Sequence, residues 1–577
     1  MAQLVAALPV RNGAEDLPKW FDAVRGVVDA VVALDDGSTD DTGALLRAEA
    51  LVRVLLENPR RDTYKGWDDA ANRQRLIDAV QPLAETYDGT SWIIQLDADE
   101  RLAPGDGAAL RRAVDHDTLD PSKAYLLRVL RMVDDGTGAN SFDEDHLWVG
   151  RMFAWRPDAT LPTDALHLVP LPEDIGIEDH VRTTLRIAHY GSFDHDRREA
   201  RAAKYAEVDP NHRWQADYSN ITADVGATST LLHRPPNLPV IANTPWPGEV
   251  IDAAAHPEDQ PILTAVVISR DDEDVIERAV DGIVDQSVSG QLQLVVVTSG
   301  SDRTAAIVRD KYPDVELRVI DHPALPGEAR NVGLAAARGR YVTFPGSHIE
   351  LPPGALQARL DAHLAGWGMV TNTTLNGTTT RAGWASYFLD HSGGLPGRPS
   401  HRMTVAPSYA SYLTEALRFI GGYPEHMRTA EDTVANTRLF DLGYGAWRAQ
   451  ESQMVHHSPC RRPSILLRHH FRRGQGLGEM QRRQRNPGSP LVNRRRLRTL
   501  GPRYPVGRYR RVRGNVKLFG GPLKGEWRRS APLAVLAIGS AWVGTWQRML
   551  APRRGWWGEM SGGRPLRSLL LTRRRHG

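Results

Sequence analysis

WIIQLDADERLAPG, residues 92–105, is an apolar run that ends in Asp97-Ala98-Asp99-Glu100. YVTFPGSHIELPPG, residues 341–354, is a similar run that ends in Gly346-Ser347-His348. Each closes a series with one order of elements. Residues 4–8 predict a strand, a Pro/Asn/Gly turn follows, 17–28 carry a helical period, and 30–34 predict a second strand ending in DDGSTDDT. In the second half, 263–268, 275–284 and 292–297 repeat strand, helix and strand, ending in TSGSDRT. AANRQ (70–74) and EARNVG (328–333) then lie on a helix ahead of the quoted strands. Strands alternating with helices predict an α/β fold with Rossmann-like, mixed but mostly parallel sheets and ligands at the carboxyl ends of the strands. The repetition predicts two such domains in tandem.

The chain has 577 residues, 41% hydrophobic and 25% charged, which is enough for two domains with ordinary cores. A single cysteine, Cys460, excludes an internal disulfide framework. No charged segment followed by an apolar segment and a cleavage site opens the sequence, and a reducing cytoplasmic setting is the expectation. The net charge of +2 hides an asymmetry: residues 461–577 hold 29 Lys and Arg against three acids, while the rest of the chain is acidic. An acidic body with a basic tail predicts a polyanionic surface as partner. Residues 233–261 contain seven prolines and no periodicity, which predicts a linker. The expected division is domain one at 1–232, linker at 233–261, domain two at 262–460 and a basic, partly apolar helical tail at 461–577.

In DDGSTDDT, Asp35 and Asp36 can accept hydrogen bonds from a ligand, or can serve a capping turn in which Gly37 bends the chain and Ser38 or Thr39 caps a helix. Asp97 and Asp99 share one face of an extended chain, so both can approach one hard cation, Mg²⁺ or Mn²⁺, of the kind shared with substrate phosphates. A solvated loop is the bland alternative for an isolated Asp-x-Asp; its position after DDGSTDDT favours the cation.

LPVRNGAEDL, VVALDDGSTDDT, AANRQ and WIIQLDADE resemble, in order, the motifs of family-2 glycosyltransferases of the GT-A fold. The resemblance implies a nucleotide-sugar donor, with Asp35 and Asp36 near the nucleobase, Asp97 and Asp99 at ribose and metal, and Arg73 among the donor-binding residues. It implies Mn²⁺ or Mg²⁺ in domain one. RIAHYGSFDHDRREARAAKY looks like the branch containing lipopolysaccharide-core transferases, so His189 is a candidate metal ligand or diphosphate contact, or else a core histidine. An inverting transfer needs a base for the acceptor hydroxyl, and Glu178 or Asp179 in GIEDH are the candidates there.

Domain two keeps the resemblance in AVVISRDDEDVIERAV, VVVTSGSDRT and PGEARNVGLAAARGRYVTF but carries Thr298 and Ser299 in place of Asp35 and Asp36, and Gly346 and His348 in place of Asp97 and Asp99. AEDTVANTRLFDLGY resembles the element that supplies the family's base, with Asp432 in that place and Glu431 beside it; an ordinary acidic helix start is the other reading. No metal is expected in this domain, and Arg330, His348 and the later Arg cluster are available to offset phosphate charge, while a histidine of His456-His457 could touch a diphosphate or simply end a strand.

In the tail, Gly and Pro are expected to break any long helix, and the charge-free 18 residues 530–547 predict a re-entrant or interfacial hairpin rather than a span, with Trp542, Trp546, Trp556 and Trp557 at headgroup level. That apolar run favours a membrane surface over nucleic acid. The whole sequence therefore predicts a peripheral or monotopic transferase at the inner face of the cell membrane, moving a sugar to a hydroxyl of a lipid-linked or cell-envelope glycan. The rival readings are that domain one alone is catalytic while domain two binds acceptor or braces the fold, and that the chain is a nucleotide-binding assembly protein.

Overall fold

The computed structural model describes residues 2–64, 67–134, 140–142, 147–163, 170–211, 260–403, 407–441, 444–483, 501 and 503–550. All but the last two residues of the expected linker, and Trp556 and Trp557, lie outside them.

Two nine-stranded sheets form. The first contains β1 (Gln3–Val10), β2 (Ala30–Asp35), β3 (Val52–Glu57), β4 (Ser91–Gln95), β5 (Glu100–Leu102), β6 (Ala124–Asp134), β7 (Asn140–Phe142), β8 (Leu147–Ala154) and β9 (His180–His189). The second contains β10 (Pro261–Arg270), β11 (Gln291–Ser299), β12 (Glu316–Ile320), β13 (Tyr341–Thr343), β14 (Ile349–Glu350), β15 (Met369–Asn376), β16 (His401–Arg402), β17 (Ser411–Leu413) and β18 (Ala446–His456). Their orders are β3-β2-β1-β4-β8-β6-β9-β5 and β12-β11-β10-β13-β17-β15-β18-β14. Position by position the orders coincide, and so do the directions. The first four strands are parallel, the fourth and fifth antiparallel, the sixth and seventh parallel, and the short last strand antiparallel to the seventh.

The central strands are apolar on both faces because helices cover both, as a parallel sheet requires. Leu4, Ala6 and Leu8 of β1 look into one core layer with Trp20, Phe21 and Leu110, and Val5 and Ala7 into another with Leu76, Ile77 and Phe153. The second sheet's core also takes in Leu130, Met132 and Ala188 of the first. Between them the Tyr444 hydroxyl donates to the Pro104 carbonyl at 3.0 Å, and the Arg186 guanidinium lies 4.0 Å over the Tyr444 ring.

The described residues of 461–550 are helical, as expected of the tail, but they pack on domain two. They form helices at Pro463–Arg483, Arg503–Phe519 and Lys524–Leu550, packed with the helix Arg381–His391 of the second sheet through Tyr387, Phe388, Leu466, Val512, Val516, Trp527 and Ile538. The glycines that were expected to break helices instead let two of them touch. A Cβ on Gly474 would stand 1.9 Å from the Ala541 carbonyl oxygen, and one on Gly544 would stand 2.2 Å from that of Phe471. The Ser540 hydroxyl donates to the Leu467 carbonyl at 2.8 Å across this contact. The charge-free run is therefore part of one continuous helix, packed on one side and exposed on the other, and not a re-entrant hairpin. Among the described residues no helix is long and apolar enough to cross a membrane.

Candidate functional site

The carboxyl edges of the two sheets superpose in register. Val10 pairs with Asp35 in the first, and Ser269 with Thr298 in the second. Two residues beyond Val10 and Ser269 stand Asn12 (φ 49°) and Asp271 (φ 53°), and two beyond their partners Gly37 (φ 73°) and Gly300 (φ 109°). Left-handed backbone is rare enough outside glycine that its recurrence fixes the alignment. At the far strands Glu100 pairs with His189, and Ile349 with His456. The Glu100 amide donates to the Asp97 carbonyl as the Ile349 amide donates to that of Gly346, both at 2.9 Å, and the Tyr190 and His457 amides donate to the carbonyls of Asp99 and His348. Gly346 and His348 thus occupy the backbone positions of Asp97 and Asp99, and His456 that of His189.

At the first edge Asp97 is held by the Arg73 guanidinium at 2.8 Å and faces that of Arg151 at 3.6 Å. Arg73, one turn into the helix Asp69–Asp78, also binds Asp69 at 3.0 Å. Burial alone would raise the Asp97 carboxyl, but the two guanidinium groups and the nearby His189 hold it well below the usual carboxylate range. Glu100, 1% exposed, binds Arg151 at 2.5 Å, yet burial and the adjacent Asp97 and Asp99 leave its pKa raised. Asp99 is more open and has His189 Nε2 at 3.6 Å. Gly191 keeps this pair accessible, since a Cβ there would meet Asp99 Oδ2 at 2.3 Å and His189 Cε1 at 2.7 Å. The helix His195–Val208 adds Arg201 and Lys204, whose ammonium lies 4.0 Å over the Trp67 ring and whose pKa burial lowers.

The other expected residues of the first half fare unevenly. Asp35 uses Oδ1 to accept from the Ser38 amide at 2.9 Å, which is the capping-turn role. Asp36 is buried, accepts from Asn58 Nδ2 at 2.6 Å and pairs with Arg61, so both its oxygens are engaged within the protein. Glu178 and Asp179 are not at this edge. They precede His180, the first residue of ten-residue β9, whereas His189 is its last, so about 30 Å of strand separates them from Asp99. Asp179 there binds Lys123 at 2.5 Å. The candidate-base reading of these two acids is corrected by that placement.

At the second edge Glu431 and Asp432 open the helix Glu431–Asp441, whose length carries them back to the carboxyl edge; among the described residues of the corresponding connection in the first half, the short turn Ile177–Asp179 forms instead. Arg330 pairs with the buried Glu431 and lies 5.3 Å from the Tyr423 ring centre. Burial raises the Glu431 carboxyl against the pull of Arg330. Asp432, half-buried, accepts from the Thr433 amide at 2.7 Å and has no guanidinium of its own. Asp272 and His391, which the sequence did not mark, join His456 and the later Arg cluster at this edge. Asp272 accepts from Ser347 Oγ at 2.7 Å, from the Arg270 amide at 2.9 Å and from Ser269 Oγ at 3.1 Å, tying the first-strand loop to Gly-Ser-His. The His456 ring lies 5.0 Å from that of His348 and 4.5 Å from that of His391. Arg473, from the helix Pro463–Arg483, reaches the buried Asp390 at 3.3 Å. The sequence offered the later Arg cluster against phosphate charge, but nothing local told that Arg473 would be the member that pairs with Asp390.

Among the described residues no three His, Cys, Asp or Glu side chains converge to hold a metal. The donors that fit a hard cation are Asp99 and His189, with Asp97 partly spent on Arg73; the remaining ligands would be diphosphate oxygens.

Residues 264–420 match the family model described as Glycosyl transferase family 2. That stretch is in the second half, which lacks the acidic pairs. Among curated proteins, a TPR repeat-containing protein of Synechococcus elongatus is 34% identical over 160 residues, 27% of this chain and 33% of the relative. The succinoglycan biosynthesis protein ExoO of Rhizobium meliloti is 33% identical over 103 residues, 18% of this chain and 29% of the relative. The chain thus spans a third or less of the length of these relatives. Among solved structures, the mannosyltransferase PcManGT of Pyrobaculum calidifontis, in complex with GDP-Man and Mn²⁺, overlaps with a TM-score of 0.36 at 19% identity, covering 52% of this chain and 90% of that one. S. aureus TarS residues 1–349 in complex with UDP-GlcNAc overlap with a TM-score of 0.29 at 15% identity, covering 49% and 90%.

Proposed function

We propose that the chain is a glycosyltransferase that moves a sugar from a nucleotide-sugar donor to a hydroxyl of a lipid-linked or cell-envelope glycan, with inversion. The match of residues 264–420 to glycosyl transferase family 2, on a sheet whose plan the first half repeats strand by strand, carries this reading. Ligands of such sheets bind outside the carboxyl ends of the strands, where both charged clusters lie. The similarity to ExoO, a succinoglycan biosynthesis protein, supports a polysaccharide setting.

In domain one, Asp99 and His189 would hold Mn²⁺ or Mg²⁺, and Asp97 would stay ionised beside Arg73 and Arg151 to orient the donor ribose. A bound cation would neutralise charge on the departing diphosphate. Arg201 and Lys204 face the same space and add positive charge against the leaving group. In domain two Asp432 would take the acceptor proton, because it is half-buried and, unlike Glu431 beside it, is not paired with a guanidinium. The outer face of the helix Lys524–Leu550 exposes Val535, Leu536, Val543 and Leu550, with Arg528 and Arg529 exposed at one end. That pattern supports peripheral contact with an anionic membrane surface at the side where a lipid-linked acceptor would be presented.

The test is nucleoside diphosphate release from a panel of nucleotide sugars, with a membrane-lipid extract as acceptor source, in Mn²⁺ or chelator. Release that depends on Mn²⁺ and is lost with Asp99→Ala supports a working domain one. A chelator-resistant release lost with Asp432→Ala adds a second transferase. Absence of the acidic pair at 346 and 348 favours the alternative in which domain two only binds acceptor, and an Asp432→Ala variant with unchanged turnover would establish that alternative.

A further inference from the structure

We propose that the carboxyl edge of domain two is a cation-independent diphosphate site in which Arg473 and His348 take the place that a divalent ion and its carboxylates would have; this rests on the reading of the chain as a nucleotide-sugar transferase.

The register leaves no ambiguity about what was exchanged. Gly346 and His348 stand where Asp97 and Asp99 stand, held by the same turn and strand-end hydrogen bonds. Two carboxylates repel a diphosphate unless a cation sits between them; a glycine and an imidazole do not. The histidine that pairs with this strand is also changed in surroundings. His189 faces a carboxylate at 3.6 Å, whereas His456, only 6% exposed, faces other imidazoles and leaves Nδ1 without a partner. The neighbouring His391 Nε2 is likewise buried and unpartnered. Buried polar nitrogens of this kind carry an unmet desolvation cost that a ligand oxygen would remove.

Arg473 supplies the fixed positive charge. Its anchor, Asp390, is 3% exposed, accepts from Ser386 Oγ at 3.2 Å and has His469 and His470 each 4.0 Å away. The Arg473 side chain is 44% exposed although its anchor is buried, and only one of its N–H groups faces Asp390, so the others remain for an incoming group. Arg330 is not equivalent, because its guanidinium is committed to Glu431. A planar fork held at one side and open at the other suits a phosphate, to which it can bind in bidentate fashion. Arg473 comes from the helix after the last strand of its sheet, as Arg201 and Lys204 come from the helix after the last strand of theirs. The two halves thus place basic residues by the same route and differ in whether carboxylates lie opposite.

The experiment is titration calorimetry of the full chain carrying Asp99→Ala, in excess chelator, with UDP, GDP and the matching monophosphates. The expected result is diphosphate binding that Arg473→Gln weakens by about tenfold to a hundredfold while monophosphate binding is little changed. His348→Asn should weaken diphosphate binding in the same selective way, and Arg472→Gln, an exposed neighbour on the same helix, should not. A merely structural Arg473 would lower both nucleotides alike, and that result overturns the proposal, as does diphosphate binding indifferent to Arg473→Gln. Binding by the chain with native Asp99 in Mn²⁺, but none in chelator, overturns the proposal and leaves the transferase reading intact. No nucleotide binding in either condition removes both.

Discussion

At the first carboxyl edge four acids, Asp69, Asp97, Asp99 and Glu100, interleave with Arg73, Arg151, Arg201 and Lys204; at the corresponding edge of the second sheet, imidazoles fill the middle and the charges retreat to paired positions at the rim. The backbones that carry these groups are the same to the level of individual turn hydrogen bonds. Charge chemistry can therefore change completely on a duplicated sheet without disturbing it, because strand ends protrude from the core that holds the sheet. What cannot change so freely is the partner set of a buried charge. Glu100 and Arg151 exist together in one half and are both absent at the matching place of the other, where Ile349 is apolar and buried.

The largest effect expected is on Asp432. If the second edge is a working site, Asp432→Asn lowers its transfer rate by about a hundredfold to ten-thousandfold at unchanged thermal stability, as removal of a general base does. A chelator-resistant release assay reads it, and an unchanged rate would make the second edge a binding module and end the symmetry of function between the halves. Next in size is Arg151→Met. It leaves Glu100 buried without its cation, at a cost of about 3–5 kcal/mol in denaturant unfolding near neutral pH. The Glu100 carboxyl already lies above its ordinary value, so the folded state binds its proton more tightly than the unfolded chain does. Stability linked to this group is thus present at low pH and declines as pH rises through the raised value. Unfolding of the variant at pH 5 and pH 8 should accordingly show the larger loss at pH 8. Equal losses would mean that Glu100 is already neutral in the wild type.

The scaffold was legible in the sequence because it rests on period and turn chemistry: the apolar strands, the alternation with helices and the Asn12, Gly37 and Gly105 turns recur as Asp271, Gly300 and Gly354. The exchange of Asp97 and Asp99 for Gly346 and His348 was legible for the same reason. The charge partners were not, since Arg151 arrives from β8 and Arg473 from a helix that the sequence assigned to a membrane tail. Long-range partners leave no local pattern. Glu178 and Asp179 illustrate the opposite case: an acidic pair beside a strand looked like a base, but it stands at the start of β9, about 30 Å of strand from Asp99. The glycines of the C-terminal helices misled by their number, because the reason for them is a neighbour far along the chain.

Those glycines give the next effect. Gly544→Ala places a Cβ 2.2 Å from the Phe471 carbonyl oxygen, where backbone must move, and should cost about 1–3 kcal/mol. Gly539→Ala, a few residues away on the same helix with no atom within 4 Å of its Cβ, should stabilise slightly through helix propensity. Because the helix that Gly544 touches carries Arg473, the first substitution should also weaken chelator-resistant nucleotide binding while leaving Mn²⁺-dependent release by the first half untouched. A loss of both activities together would show that the two sheets communicate through the Tyr444 contact more strongly than their separate edges suggest.

The smallest effect sharpens the comparison from the side of the first half. Asp179→Asn removes the Lys123 pair at the far end of β9, at a place where both side chains are about one-third exposed. Solvent screens such a pair, and the carboxylate is some 30 Å of strand from Asp99. Mn²⁺-dependent sugar transfer by this variant should match the wild type within error across pH 6 to 9. If instead the rate fell and its pH profile lost a limb, the acceptor would have to reach that end of the sheet, and the first half would run its chemistry across the sheet rather than along the edge that it shares with the second.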